Sequence, residues 1–287
     1  MHLEGLYDEK TGTITYVVLD KVTMACALID SVLDFEMRSG RTATRNADKA
    51  IALIEKLGGS LQWILETHIH ADHLTAAPYI KEKLGGAVAV GSGITQVQRN
   101  FSRVFSLSEA ECSGARFDKL FEDGEEFSIG TLKGRVLHTP GHTPACVTYV
   151  VHDDAEQVAF VGDALFMPDF GTARCDFPGG SASQLYGSIQ KILALPPQTL
   201  ICTGHDYQPN GRELRYQCSV EEQRQKNVHV GGARSEMEFV AMRNERDSGL
   251  ALPELLIPSV QVNMRAGEVA ATGCDGIKYI QVPLNVL

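Results

Sequence analysis

THIHADH, residues 67–73, sets His68, His70, Asp72 and His73 within six positions, directly after the apolar run LQWILET of residues 61–67. Histidine and carboxylate are borderline donors suited to zinc, iron or manganese, and four in so short a span are too dense for an incidental polar loop. A strand that ends in such a loop delivers side chains to the rim of a sheet, where open α/β proteins keep their sites. Asp72 and His73 are expected to open the next helix. Around this stretch, TITYVVLD (13–20) and ACALID (25–30) read as paired strands, 45–58 as a helix stopped by Gly58-Gly59, 74–84 as a helix and 85–91 as a strand. From 92 to 122 the pattern weakens into a polar stretch containing FSRVF, the expected lid or insertion.

In the later half, strands are expected at 134–138, 146–151, 157–162 and 199–203, and helices at 183–194, 211–227 and 234–247. Three of those strands lead into candidate ligands. LHTPGHTPACVTYV (137–150) presents His142 on a turn that Gly141 permits and that Pro140 and Pro144 stiffen, with His138 as support. FVGDALF (160–166) places Asp163 after an apolar strand, where a carboxylate is costly unless solvated, hydrogen-bonded or metal-bound. TGHDY (203–207) repeats the strand-glycine-histidine design with His205, whereas His2, His152 and His229 have no such context and read as incidental. Residues 1–230 read as one catalytic domain, and 231–287 as an extension packed on it or at the subunit contact of a homodimer.

Composition narrows the function classes. The 287 residues are 44% hydrophobic and 22% charged, near the globular average, with no apolar run of membrane-spanning length. A net charge of -10 without a cluster of Lys and Arg excludes a nucleic-acid partner. The acidic, mixed opening MHLEGLYDEKTG has no secretory pattern, so a cytoplasmic location is expected. Seven scattered cysteines (Cys26, Cys112, Cys146, Cys175, Cys202, Cys218, Cys274) form no C-x-x-C pair and read as buried reduced thiols.

The order H-x-H-x-D-H, G-H, G-D, G-H resembles the metallo-β-lactamase superfamily over residues 13–227. That resemblance implies an α/β fold, a four-layer αβ/βα sandwich with the metal at the edge between two sheets. In two-metal members His68, His70 and His142 would bind one ion and Asp72, His73 and His205 the other, with Asp163 bridging. Penicillin-destroying members are secreted and RNA-processing members carry a further large domain. Thioester hydrolases similar to glyoxalase II and persulfide dioxygenases remain.

GTARCDFPGG (171–180) favours the second branch, since Arg174-Cys175-Asp176-Phe177 matches the Arg-x-Asp-Phe sequence of persulfide dioxygenases. GHTPACVTYV and the Tyr207 that follows His205-Asp206 point the same way. In that branch His68, His142 and Asp163 would hold one Fe(II) per chain, leaving open positions for substrate sulfur and dioxygen, with His70, Asp72, His73 and His205 as a hydrogen-bonded shell. The implied reaction is the sulfide-detoxifying oxidation of glutathione persulfide, or a related thiol persulfide, to sulfite and thiol. Arg174, Asp176 and Tyr207 would line the substrate. For Arg174 the alternative is an ion pair with Asp176 that fixes the loop. The rival function is hydrolysis of thioesters or lactones with two Zn(II), Asp72 serving as base and His205 completing the second site. One departure stands out: where the family has an arginine after an Asn-Pro pair, this chain reads Asn227-Val228-His229.

Overall fold

Apolar runs such as ITYVVL and ACALI have every residue buried, which is possible only for strands covered on both faces. The computed structural model describes residues 1–269, 271–272 and 276–286. The first half contains β1 (His2–Tyr7), β2 (Ile14–Leu19), β3 (Ala25–Ile29), β4 (Val32–Glu36), β5 (Arg41–Ala43), α1 (Arg45–Lys56), β6 (Ser60–Leu65), β7 (Leu74–Thr75), α2 (Ala77–Leu84), β8 (Ala87–Gly91), α3 (Ile94–Phe105) and β9 (Lys119–Phe121). The second contains β10 (Glu126–Ile129), β11 (Leu132–His138), β12 (Val147–His152), β13 (Gln157–Phe160), α4 (Ala182–Leu193), β14 (Leu200–Cys202), β15 (Gln217–Ser219), α5 (Val220–Lys226), α6 (Glu236–Asp247) and α7 (Leu256–Asn263).

Two six-stranded mixed sheets result, ordered β1-β2-β3-β6-β8-β9 and β10-β11-β12-β13-β14-β15. Period-two alternation assigns each strand's faces. Val17 and Leu19 face the outer core with α1, α2 and α3, whereas Ile14, Tyr16 and Val18 face the second sheet. Tyr149 and Val151 return that contact, while Val150 and Ala159 turn outward to α4 and α6. Helix, sheet, sheet and helix therefore stack as the four-layer αβ/βα sandwich. No helix among the described residues is long and apolar enough to cross a membrane.

Several expectations need correction. Residues 92–122 are no lid: α3 buries Ile94, Val97, Phe101 and Phe105 in the outer core, and its polar residues are the solvent side of an amphipathic helix. Asp72 and His73 do not open a helix, because β7 intervenes and α2 starts at Ala77. The helix expected over 211–227 is β15 followed by the short α5, since residues 217–219 pair with β14. Six of the cysteines are buried free thiols, and Cys274 lies outside the described residues.

Phe101 is fully buried, with ring centroids 5.4 Å from Phe177 and 5.7 Å from Phe105. Phe101→Ala should cost about 3–5 kcal/mol in denaturant unfolding, the range for a truncated core aromatic. A loss below about 1 kcal/mol, as for exposed lid residues, would contradict this packing.

Candidate metal centre

The site forms where strands stop. His68 to His73 follow β6, His142 lies in the β11–β12 turn, Asp163 follows β13 and His205 follows β14. Two glycines allow the approach. Gly162 has φ +49°, and a Cβ there would sit 2.4 Å from Thr67 Oγ1. At Gly204 a Cβ would sit 2.7 Å from Asp163 Oδ1.

Asp163 is central. Its Oδ2 is 3.8 Å from Nε2 of both His68 and His142, and its Oδ1 is 3.4 Å from His205 Nε2. His205 Nε2 is also 3.6 Å from Asp72 Oδ2, which lies 3.2 Å from His73 Nδ1. The donor atoms of His68, His142 and Asp163 fall within 4.8 Å of one another, as do those of His70, Asp72 and His73.

Each imidazole is tethered through one nitrogen. His68 Nδ1 meets Thr67 Oγ1 at 2.9 Å, His142 Nδ1 donates to the Arg174 carbonyl at 2.7 Å, and His70 Nε2 donates to Asp30 Oδ1 at 3.1 Å. Asp30 also accepts from Thr67 N at 2.7 Å and Thr67 Oγ1 at 2.8 Å. The opposite atoms, His68 Nε2, His70 Nδ1, His73 Nε2 and His205 Nε2, are buried without a hydrogen-bond partner, as is Asp163 Oδ1. Leaving so many buried polar atoms unpaired in one place is costly unless cations take them. The donor set therefore fits metal.

Charge states agree at two of these donors, whereas at His70 burial opposes the charged form but Asp30 and Glu66 outweigh it and raise the pKa well above the usual histidine value. Burial, reinforced by His70 and His142, pushes the pKa of His68 well below the usual histidine value, so its ring is neutral and able to ligate. Burial opposes ionisation of Asp72, but His205 and His73 outweigh it and hold its carboxyl well below the usual range.

A cavity of about 240 Å³ opens onto Asp72, His142 and Asp163, walled by Phe166, Phe170, Tyr207 and, from 231–287, Leu250 and Pro253. Arg174 and Tyr207 border it; Asp176 does not. The Arg174 guanidinium instead grips both Asp176 oxygens at 2.5 Å and the Ala251 carbonyl at 2.8 Å, the loop-fixing arrangement. His138 reaches the Phe121 carbonyl and stays outside the site. Sequence reasoning missed Asp30, although ACALID ends a strand on an acid much as Asp163 does. It also treated His229 as incidental, whereas its buried Nδ1 accepts from Thr172 N and its ring borders the cavity.

Residues 11–205 match the Metallo-beta-lactamase superfamily. Over its whole length the chain is 50% identical to all of the Burkholderia pseudomallei (strain 1710b) protein named "Probable metallo-hydrolase". It is 48% identical over 99% of its length to the "Beta-lactamase hydrolase-like protein" of Xylella fastidiosa (strain Temecula1), covering 65% of that longer protein. Human mitochondrial persulfide dioxygenase ETHE1 is 34% identical over 92% of this chain and 88% of its own. Among solved structures, ETHE1 from Myxococcus xanthus superposes with a TM-score of 0.74 at 29% identity, covering 93% of this chain and all of that one.

Asp30→Asn removes the nearer of two carboxylates at His70, leaving only Glu66 Oε2 at 3.5 Å, and should weaken metal binding about 10–100-fold in chelator competition. Unchanged affinity would show that Asp30 does not orient the ligand.

Proposed function

We propose, from the premise that the chain belongs to the metallo-β-lactamase superfamily, that this metal-dependent enzyme is a dinuclear hydrolase of thioesters or lactones. One observation carries the reading. Beyond His68, His142 and Asp163, the atoms His70 Nδ1, His73 Nε2 and His205 Nε2 are buried without a hydrogen-bond partner, and His70, Asp72 and His73 form a second donor cluster within 4.8 Å, a set too large for one ion. Relatives at 47–50% identity named metallo-hydrolase, beta-lactamase hydrolase-like protein and glyoxylase support it.

His68, His70 and His142 would hold one zinc, Asp72, His73 and His205 the other, with Asp163 between them. When bound, zinc supplies Lewis acidity toward a carbonyl and lowers the pKa of water. The chain's residues do the rest. Asp72, ionised by its two histidine neighbours, is placed to accept a proton from the attacking water. Phe166, Phe170 and Leu250 exclude bulk water from the acyl group. Tyr207, its ring stacked on His205 at 5.3 Å, lines the route by which substrate enters, while Arg174 and Asp176 brace the loop whose carbonyl holds His142.

A second reading, a persulfide dioxygenase with one Fe(II), draws on the compact group of His68, His142 and Asp163 and on the 34% identity to persulfide dioxygenases. Two histidines and one carboxylate suit non-haem iron.

Anaerobically purified protein should contain two zinc per chain and hydrolyse a glutathione thioester without consuming oxygen. One iron per chain, with oxygen uptake on glutathione persulfide, would overturn the hydrolase reading in favour of the second. Ligand variants provide a separate check by elemental analysis. His205→Ala should lower the content from two ions to one, whereas an iron enzyme would keep its single ion.

A further inference from the structure

The segment that carries His70, Asp72 and His73 has no helix or ladder until β7, yet it is largely buried, so its backbone groups must find partners elsewhere. Three are met by one side chain far along the chain. Asn263, at the end of α7 and only 3% exposed, donates from Nδ2 to the carbonyls of His70 (2.9 Å) and His73 (2.8 Å), and its Oδ1 accepts from Thr75 N (2.8 Å). These contacts lie on both sides of Asp72. They use both donors of the carboxamide and its acceptor.

The helix behind Asn263 is locked. Leu256, Val260 and Met264 share the outer core with Ile69, Ala71 and Ala77, and Val262 packs with Phe35 and Leu74. Gln98 ties α3 to the same point, donating to the Met264 carbonyl at 2.8 Å and accepting from Gly114 N at 3.0 Å.

We infer that Asn263 is a positioning residue of the metal centre, setting the spacing of the His70, Asp72 and His73 donors, so that metal binding depends on residues beyond 231. Two carbonyls and one N–H in this arrangement require a group with two donors and one acceptor, which a carboxamide has and a carboxylate lacks. Aspartate would turn an acceptor toward the two carbonyls. Leucine, of similar size, would leave all three backbone groups unpaired. For its metal readout the inference rests on the two-ion reading.

The test compares metal-loaded wild type with Asn263→Leu, Asn263→Asp and the control Gln261→Ala, on the same helix, whose side chain bonds Ile257 and Gln281 rather than the loop. Zinc equivalents and affinity are read by competition with a chromophoric chelator, and amide exchange is followed over residues 68–76. Both Asn263 variants should bind the weaker zinc about 10–100-fold less tightly, and Asn263→Leu, which removes the acceptor, should exchange the Thr75 amide faster, while Gln261→Ala matches wild type in both. Wild-type affinity in the Asn263 variants with wild-type exchange in Asn263→Leu, or equal loosening by Gln261→Ala, would overturn the inference while leaving the two-ion reading in place. A wild type holding a single ion would end that reading, and the exchange at Thr75 would then decide the inference alone.

Discussion

Much of the site depends on one buried carboxylate. Asp30 sits at the end of β3 with φ +53°, a left-handed conformation that Asp tolerates better than most residues, and is 2% exposed. From there it accepts from the backbone and side chain of Thr67 and from His70. Burial opposes its ionisation, but His70 and the Thr67 donors prevail and lower its pKa. Thr67 passes the constraint on, since its hydroxyl, committed as donor to Asp30, can only accept from His68 Nδ1. One carboxylate thus orients two candidate ligands, His68 through Thr67 and His70 directly, whose other nitrogens have no hydrogen-bond partner.

The segment after residue 230 completes this arrangement from two sides. On one, α7 joins the outer core and reaches the ligand loop through Asn263. On the other, Phe239 anchors α6 in the core over the second sheet. There the buried Arg243–Asp247 pair holds the loop after Asp163: Arg243 donates to the Thr172 carbonyl and Asp247 accepts from Cys175 N. Between those contacts lies Arg174, whose carbonyl fixes His142. Because Leu250 and Pro253 also wall the cavity, these residues shape the space a substrate enters as well as the ligands beneath it.

Much of the fold could be read in advance. Strands buried on both faces are written as continuous apolar runs, and 14–19, 25–29 and 147–152 were legible on that ground. The candidate ligands stand out in the sequence because each follows a strand through a glycine or a dense histidine cluster. Less legible were α3, whose polar face hid a fully buried stripe, and α5, where a short strand pairing displaced the expected helical start. Pairing is a non-local property, and local periodicity does not record it.

From its sequence alone, this protein has an α/β sandwich with histidines and acids at strand ends, because residue type, strand burial and chain order are local properties. Only the tertiary structure decides which nitrogen of each histidine is free, that Arg174 is committed to Asp176, and that Asn263 serves a loop nearly two hundred positions earlier. Those outcomes depend on hydrogen-bond partners brought together by folding, and a buried donor or acceptor is satisfied by whichever group packing places beside it.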